Sequence, residues 1–166
     1  MPDPLTTTTR SGRVATLTLN RPDARNALSV DLLESLNKRL NEIESDSQSL
    51  SVLILTGAGK SFCAGMDLKA VLGDNALASD LLTRLALLTL RIRRLPIVTI
   101  ARVNGAAIGG GCGLACVCDV AVTHADSKMG FPEVDLGVCP AVVAPWLVRK
   151  IGPGAAPRVL LLRGLM

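Results

Sequence analysis

The chain has 166 residues, 49% of them hydrophobic and 19% charged, with a net charge of +4. This composition excludes a disordered chain and fits one domain with a real core. The aromatic residues are only Phe62, Phe131 and Trp146, so the stacking platforms of a single-strand nucleic-acid binder are missing.

Residues 1–12 read as a flexible, polar N-terminal tail with no apolar core of a secretory signal. RVATLTLN (Arg13–Asn20) then alternates apolar and polar residues as a strand does, and Arg21 and Pro22 end it. Ser29 is positioned to cap a helix with apolar residues at Val30, Leu33, Leu36, Leu40 and Ile43. SVLILTG (Ser51–Gly57) is a short continuous apolar run, as in a buried strand. A leucine-rich helix follows from Ala76 to Leu95 and stops at Pro96, then a second buried strand, IVTIARV (Ile97–Val103). NGAAIGGGCGLACVCD (Asn104–Asp119) opens as a glycine run and passes into a helix. DVAVTH (Asp119–His124) reads as a strand, KMGFPEVDLG (Lys128–Gly137) as a loop and AVVAPWLVRKIG (Ala141–Gly152) as a helix. Strands and helices alternate, which implies an α/β fold built on βα units.

Four apparent signals lose to plainer readings. TGAGKS (Thr56–Ser61) suggests a phosphate-binding loop, but the glycine such a loop needs at position 54 is Ile54. Cys112, Cys116 and Cys118 have no partnering histidine, since the single one is His124, and structural zinc wants four ligands; buried packing thiols are expected, with no metal. The odd count of five cysteines argues against a disulfide framework and for a reducing, cytoplasmic setting. The longest uncharged run, Val103–Cys118, is shorter than the roughly 20 residues of a membrane-spanning helix.

Two glycine-bearing turns follow buried strands: FCAGMDLK (Phe62–Lys69) and the run at Gly109–Gly111. Either they let a strand pack closely on a helix, or their backbone N–H groups hold an oxyanion, because N–H groups at a helix start are unpaired and partly positive. Glu133 has two readings as well. It is a cap or surface ion pair, or a partly desolvated carboxylate suited to proton transfer near neutral pH.

Five segments in this order resemble the enoyl-CoA hydratase/isomerase (crotonase) family: LNRPDARNAL (Leu19–Leu28), SFCAGMDLK (Ser61–Lys69), LPIVTIARVNGAAIGGGCGLACVCD (Leu95–Asp119), KMGFPEVDLG (Lys128–Gly137) and PAVVAPWLVRKIG (Pro140–Gly152). The resemblance implies a crotonase-like (ClpP/crotonase) spiral of ββα units over residues 13–166. It implies an oxyanion hole made by the N–H groups of Met66 and Gly110, with Glu133 as a catalytic glutamate. It places Ala24, Arg25, Ala27, Ala64, Met66, Asp67, Leu68, Lys69, Gly109 and Gly110 along the acyl-CoA. No resident cofactor is implied, since coenzyme A is part of the substrate, and assembly into homotrimers or pairs of trimers is expected. No nucleic acid or membrane partner is expected.

Two departures from the family pattern shape the functional expectation. Two-glutamate hydratases carry their second glutamate where this chain has Gly113. GGGxGL paired with a stretch like PAVVAP is similar to bacterial methylglutaconyl-CoA hydratases, which favours hydration; the alternatives are a double-bond isomerase, or a non-catalytic acyl-CoA binder or fragment. Family members also continue past the equivalent of Met166 into helices that cap the site and build the trimer, so the resemblance implies a core truncated before that C-terminal helical region.

Overall fold

The computed structural model describes residues 3–67 and 73–161. Among the described residues, eight strands fall into two sheets. The larger runs in the order β1 (Thr6–Ser11), β2 (Val14–Leu19), β3 (Val52–Gly57), β5 (Val98–Val103), β7 (Val120–Thr123). The smaller is β4 (Ser61–Cys63), β6 (Ala106–Ile108), β8 (Met129–Gly130). Only the β1–β2 pair is antiparallel. β3, β5 and β7 are each followed by a short strand in the other sheet and then by a helix, which is the spiral of ββα units. The helices are α1 (Val30–Ser45), α2 (Asn75–Arg94), α3 (Gly110–Val117), α4 (Ala144–Ile151) and α5 (Ala156–Leu161).

The elements follow from their residues. In β2 the alternation is kept, with Ala15, Leu17 and Leu19 buried. Ser29 caps α1 by accepting from the Leu32 N–H at 3.3 Å. Leu32, Leu33, Leu36, Leu40 and Ile43 form its buried face. That face and Leu81, Leu85, Leu88 and Ile92 of α2 meet the inner side of the large sheet, where Leu53, Leu55 and Ala101 lie. Each fully buried leucine contributes about 2 kcal/mol by leaving water. Arg91 ties the two helices from outside, donating to Glu44 at 2.7 Å and to the Asn37 carbonyl at 3.0 Å. The other sheet face leaves Val98, Val120 and Val122 exposed. Among the described residues no helix is long and apolar enough to cross a membrane.

The expected flexible tail over residues 1–12 is corrected at Thr6–Ser11. TTTTRS is an edge strand in register with β2, from Thr6 opposite Leu19 to Ser11 opposite Val14. Its threonines are β-branched and suit a strand, and an edge strand with water on one side tolerates their polarity. Thr6 is buried and its hydroxyl meets that of Ser35 at 2.6 Å. The expected loop at Lys128–Gly137 contains β8 and a 3₁₀ helix, Pro132–Leu136. The helix expected from Ala141 begins at Ala144, with Pro145 in its first turn.

Strand β4 and the turn after it are locked against β6 and the start of α3 through glycines. A Cβ built on Gly65 would stand 2.7 Å from the Ile108 carbonyl oxygen, and one on Gly111 would overlap the Cys63 carbonyl and lie 2.8 Å from Cys63 Cβ. Ordinarily Gly→Ala inside a helix stabilises by about 1 kcal/mol. At Gly111 the opposite sign is expected: Gly111→Ala lowers stability by about 2 kcal/mol or more in urea denaturation, because backbone stands in the way of the methyl. A stabilised variant would show that the interlock is loose.

Candidate functional site

The site is built where the turn after β4 meets the turn between β6 and α3. Gly65 faces Ile108 and lies near the Gly110 nitrogen, 3.6 Å from its built Cβ. Gly109 precedes α3 with φ +51°, a conformation open to glycine at little cost. Gly110 is the first residue of α3, so its N–H has no acceptor within the helix. Met66 bridges Leu28 in a ladder that engages its neighbours: Leu28 N–H donates to Gly65 O at 2.7 Å and Asp67 N–H to Leu28 O at 2.9 Å. The Met66 and Gly110 N–H groups thus lie on two interlocked turns and have no acceptor among the described residues. Leu28 and Leu85 flank Gly110; both have methyls 3.0 Å from its built Cβ.

Glu133 comes to this place from the 3₁₀ helix. Its two carboxylate oxygens stand 3.2 and 3.3 Å from a Cβ built on Gly109. Burial pushes its carboxyl above the ordinary carboxylate range, and a hydrogen bond from its own backbone N–H offsets this only in part. Among the two readings open at Glu133, the surface ion pair does not occur among the described residues.

The Ala24–Ala27 turn is clamped to the same place. Arg25 O accepts from Ala64 N–H at 3.0 Å. Arg21 donates to Ala27 O at 2.6 Å and pairs with Asp67 at 3.2 Å. Ala24 closes a 3₁₀ turn and accepts from Ala27 N–H at 3.0 Å. Ala24, Arg25, Ala27, Ala64, Met66, Asp67, Gly109, Gly110 and Glu133 are therefore gathered around the two turns. Leu68 and Lys69 lie outside the described residues.

Three residues escaped the sequence reading. Asn26 is fully buried with φ +56°; its amide donates to Ser61 O at 2.9 Å and Ala58 O at 3.0 Å, while its oxygen accepts from Arg21 N–H at 2.8 Å. Arg21 is the second, and Val143, packed on Gly113, is the third. Nothing local marks Asn26, since an asparagine in a Pro-Asp-Ala-Arg-Asn turn ordinarily faces water. Val143 did stand inside a recognised segment, but its contact is long-range.

Four of the five thiols are packing residues. Cys63, Cys112, Cys116 and Cys118 are buried and free, and Cys139 is exposed. Burial pushes Cys63 and Cys118 up to about 12. The hydrogen bond to Cys116, and then burial, push Cys112 up too. Such thiols are poor nucleophiles. Among the described residues no group of three or more His, Cys, Asp and Glu side chains is placed to hold a metal ion.

The model of the family described as enoyl-CoA hydratase/isomerase matches residues 9–166, and the chain belongs to that family. It is 40% identical over 157 residues to the short-chain-enoyl-CoA hydratase of Clostridium acetobutylicum, covering 91% of this chain and 59% of the relative. It is 39% identical over 153 residues to the 2,3-dehydroadipyl-CoA hydratase of Escherichia coli, covering 92% and 59%. Among solved structures, an enoyl-CoA hydratase of Mycobacterium smegmatis superposes with a TM-score of 0.92 at 35% identity, over 99% of this chain and 65% of that one. AtuE of Pseudomonas aeruginosa gives 0.90 at 37%, over 98% and 64%. The fold is thus crotonase-like, and the chain spans about three fifths of the length of these relatives.

Two outcomes follow from this geometry. Asn26→Ala strands a buried donor and two buried acceptors, and a loss of about 2–4 kcal/mol is expected in chemical denaturation; a loss under about 0.5 kcal/mol would contradict the clamp. Because Glu133 has a raised value in the fold, folding holds its proton. The stability from that group is full below the unfolded carboxylate pKa and is lost as pH rises through the folded one. Glu133→Gln should therefore melt with the parent near pH 4 and above it near about pH 8. Parallel melting curves across that range would contradict the burial of the charge.

Proposed function

We propose that this chain adds water across the double bond of an enoyl-CoA thioester. The observation that carries the reading is the Glu133 carboxyl, half-buried and set against Gly109, the residue before Gly110, whose N–H has no acceptor among the described residues. In this reading the thioester oxygen accepts from the N–H groups of Met66 and Gly110. Glu133 takes a proton from a water, whose oxygen bonds to the β carbon. The double-bond electrons move toward the thioester, and negative charge gathers on its oxygen between the two donors. Glu133 then gives the proton to the α carbon. Ala24, Arg25, Ala27, Ala64 and Asp67, with Leu68 and Lys69, hold the coenzyme A portion. Leu28 and Leu85 offer the acyl chain an apolar wall. Relatives named as hydratases support hydration as the chemistry.

One observation favours a second reading, double-bond isomerisation. Gly113 carries no side chain, and a single base suffices to move one proton between the γ and α carbons.

Product masses separate the two readings. With short, branched and long enoyl-CoAs, hydration adds one water and isomerisation leaves the mass unchanged. Glu133→Gln is expected to lose turnover by about 10²–10⁴-fold while keeping its affinity for the acyl-CoA. Full activity of that variant on every enoyl-CoA would sink the mechanism.

A further inference from the structure

The place of the second glutamate is filled. Gly109 and Gly113 are four residues apart, on one face of the start of α3. A Cβ on Gly109 looks at Glu133, and a Cβ on Gly113 would overlap Val143 Cγ1 and lie 2.5 Å from Val143 Cβ. Glu133 thus stands against position 109 and Val143 against position 113, four residues further along the chain.

Val143 is 3% exposed and held in place by its own backbone. Its N–H donates to Pro140 O at 3.0 Å, and its carbonyl accepts from Trp146 N–H at 3.1 Å. At the other end of α4, Lys150 donates to the carbonyls of Cys118, just past α3, and of Asp119 at 2.9 Å. The valine cannot swing aside without moving that helix. GGGCGL and PAVVAP are thus two halves of one contact, a missing side chain on α3 and a branched one opposite it.

We propose that Val143 is the specificity-determining residue that fixes this site at one carboxylate, by filling the space an acid at position 113 would need. The proposal rests on the functional reading above for its chemistry, and on the packing alone for its geometry. Both hydration and isomerisation must then pass every proton through Glu133. The acid position cannot be regained at 113 alone; it needs Val143 to shrink in the same molecule.

The test is a double-mutant cycle on the chain: parent, Gly113→Glu, Val143→Gly and the pair. Gly113→Glu alone is expected to melt lower by about 5 °C or more. Adding Val143→Gly should recover at least half of that loss, although by itself it opens a hole. The pair should hydrate crotonyl-CoA about tenfold faster than Val143→Gly, with a second ionisation in its pH–rate profile, as two neighbouring carboxyls require. That ionisation is a readout that repacking alone would not produce. Gly113→Glu melting like the parent, or a pair no more stable than Gly113→Glu, overturns the proposal. A well-folded pair with an unchanged pH profile overturns it as well. If none of the four proteins turns over any enoyl-CoA, the functional reading falls, and the melting cycle still decides whether Val143 closes the position.

Discussion

The close approach of two backbones governs this structure. The turn after β4 and the start of α3 touch through Gly65 on Ile108 and Gly111 on Cys63, with no side chain between them. The small sheet is only two or three residues deep, too short to fix its own register. The contact does that work, and it sets two successive turns of the spiral against each other. The N–H groups of Met66 and Gly110, which have no acceptor among the described residues, lie at the same contact. One belongs to the middle residue of a ladder that engages its neighbours, and the other begins a helix.

Around that contact the chain spends polar groups where burial is expensive. Asn26 satisfies three backbone groups from a left-handed position, and Arg21 joins the first turn to Asp67. These bonds tie the Ala24–Ala27 turn to the strand before Met66 and to Asp67 after it. Glu133 is treated in the opposite way. It receives no ion pair among the described residues, and burial raises its pKa. One helical turn further on, Val143 takes the volume that a second carboxylate would have used.

Much of the fold was legible, for reasons that differ between elements. The period of Arg13–Asn20, the Ser29 cap and the apolar faces of α1 and α2 are local signals, and the structure keeps them. The short strands β4, β6 and β8 were invisible because two or three residues carry no period. The edge strand at Thr6–Ser11 was missed because polar residues without alternation resemble a tail, whereas its β-branched content was the available clue. At the site, the two glycine turns and Glu133 stood out by composition. Asn26 and Val143 did not, because each acts through a contact far away in sequence.

By itself the sequence determined the alternation of strands and helices, the family, and which two turns after buried strands carry glycines. Those are matters of local period, of residue type and of motif order. Only the tertiary structure decided which way the ambiguous residues fell. Glu133 became a half-buried carboxylate because a 3₁₀ helix brings it against Gly109. Gly113, which by sequence reads as a lost acid, became a packing site because Val143 already occupies its space. A missing side chain is visible in a sequence, but what fills its volume depends on a chain segment thirty residues away folding back onto the same helix face.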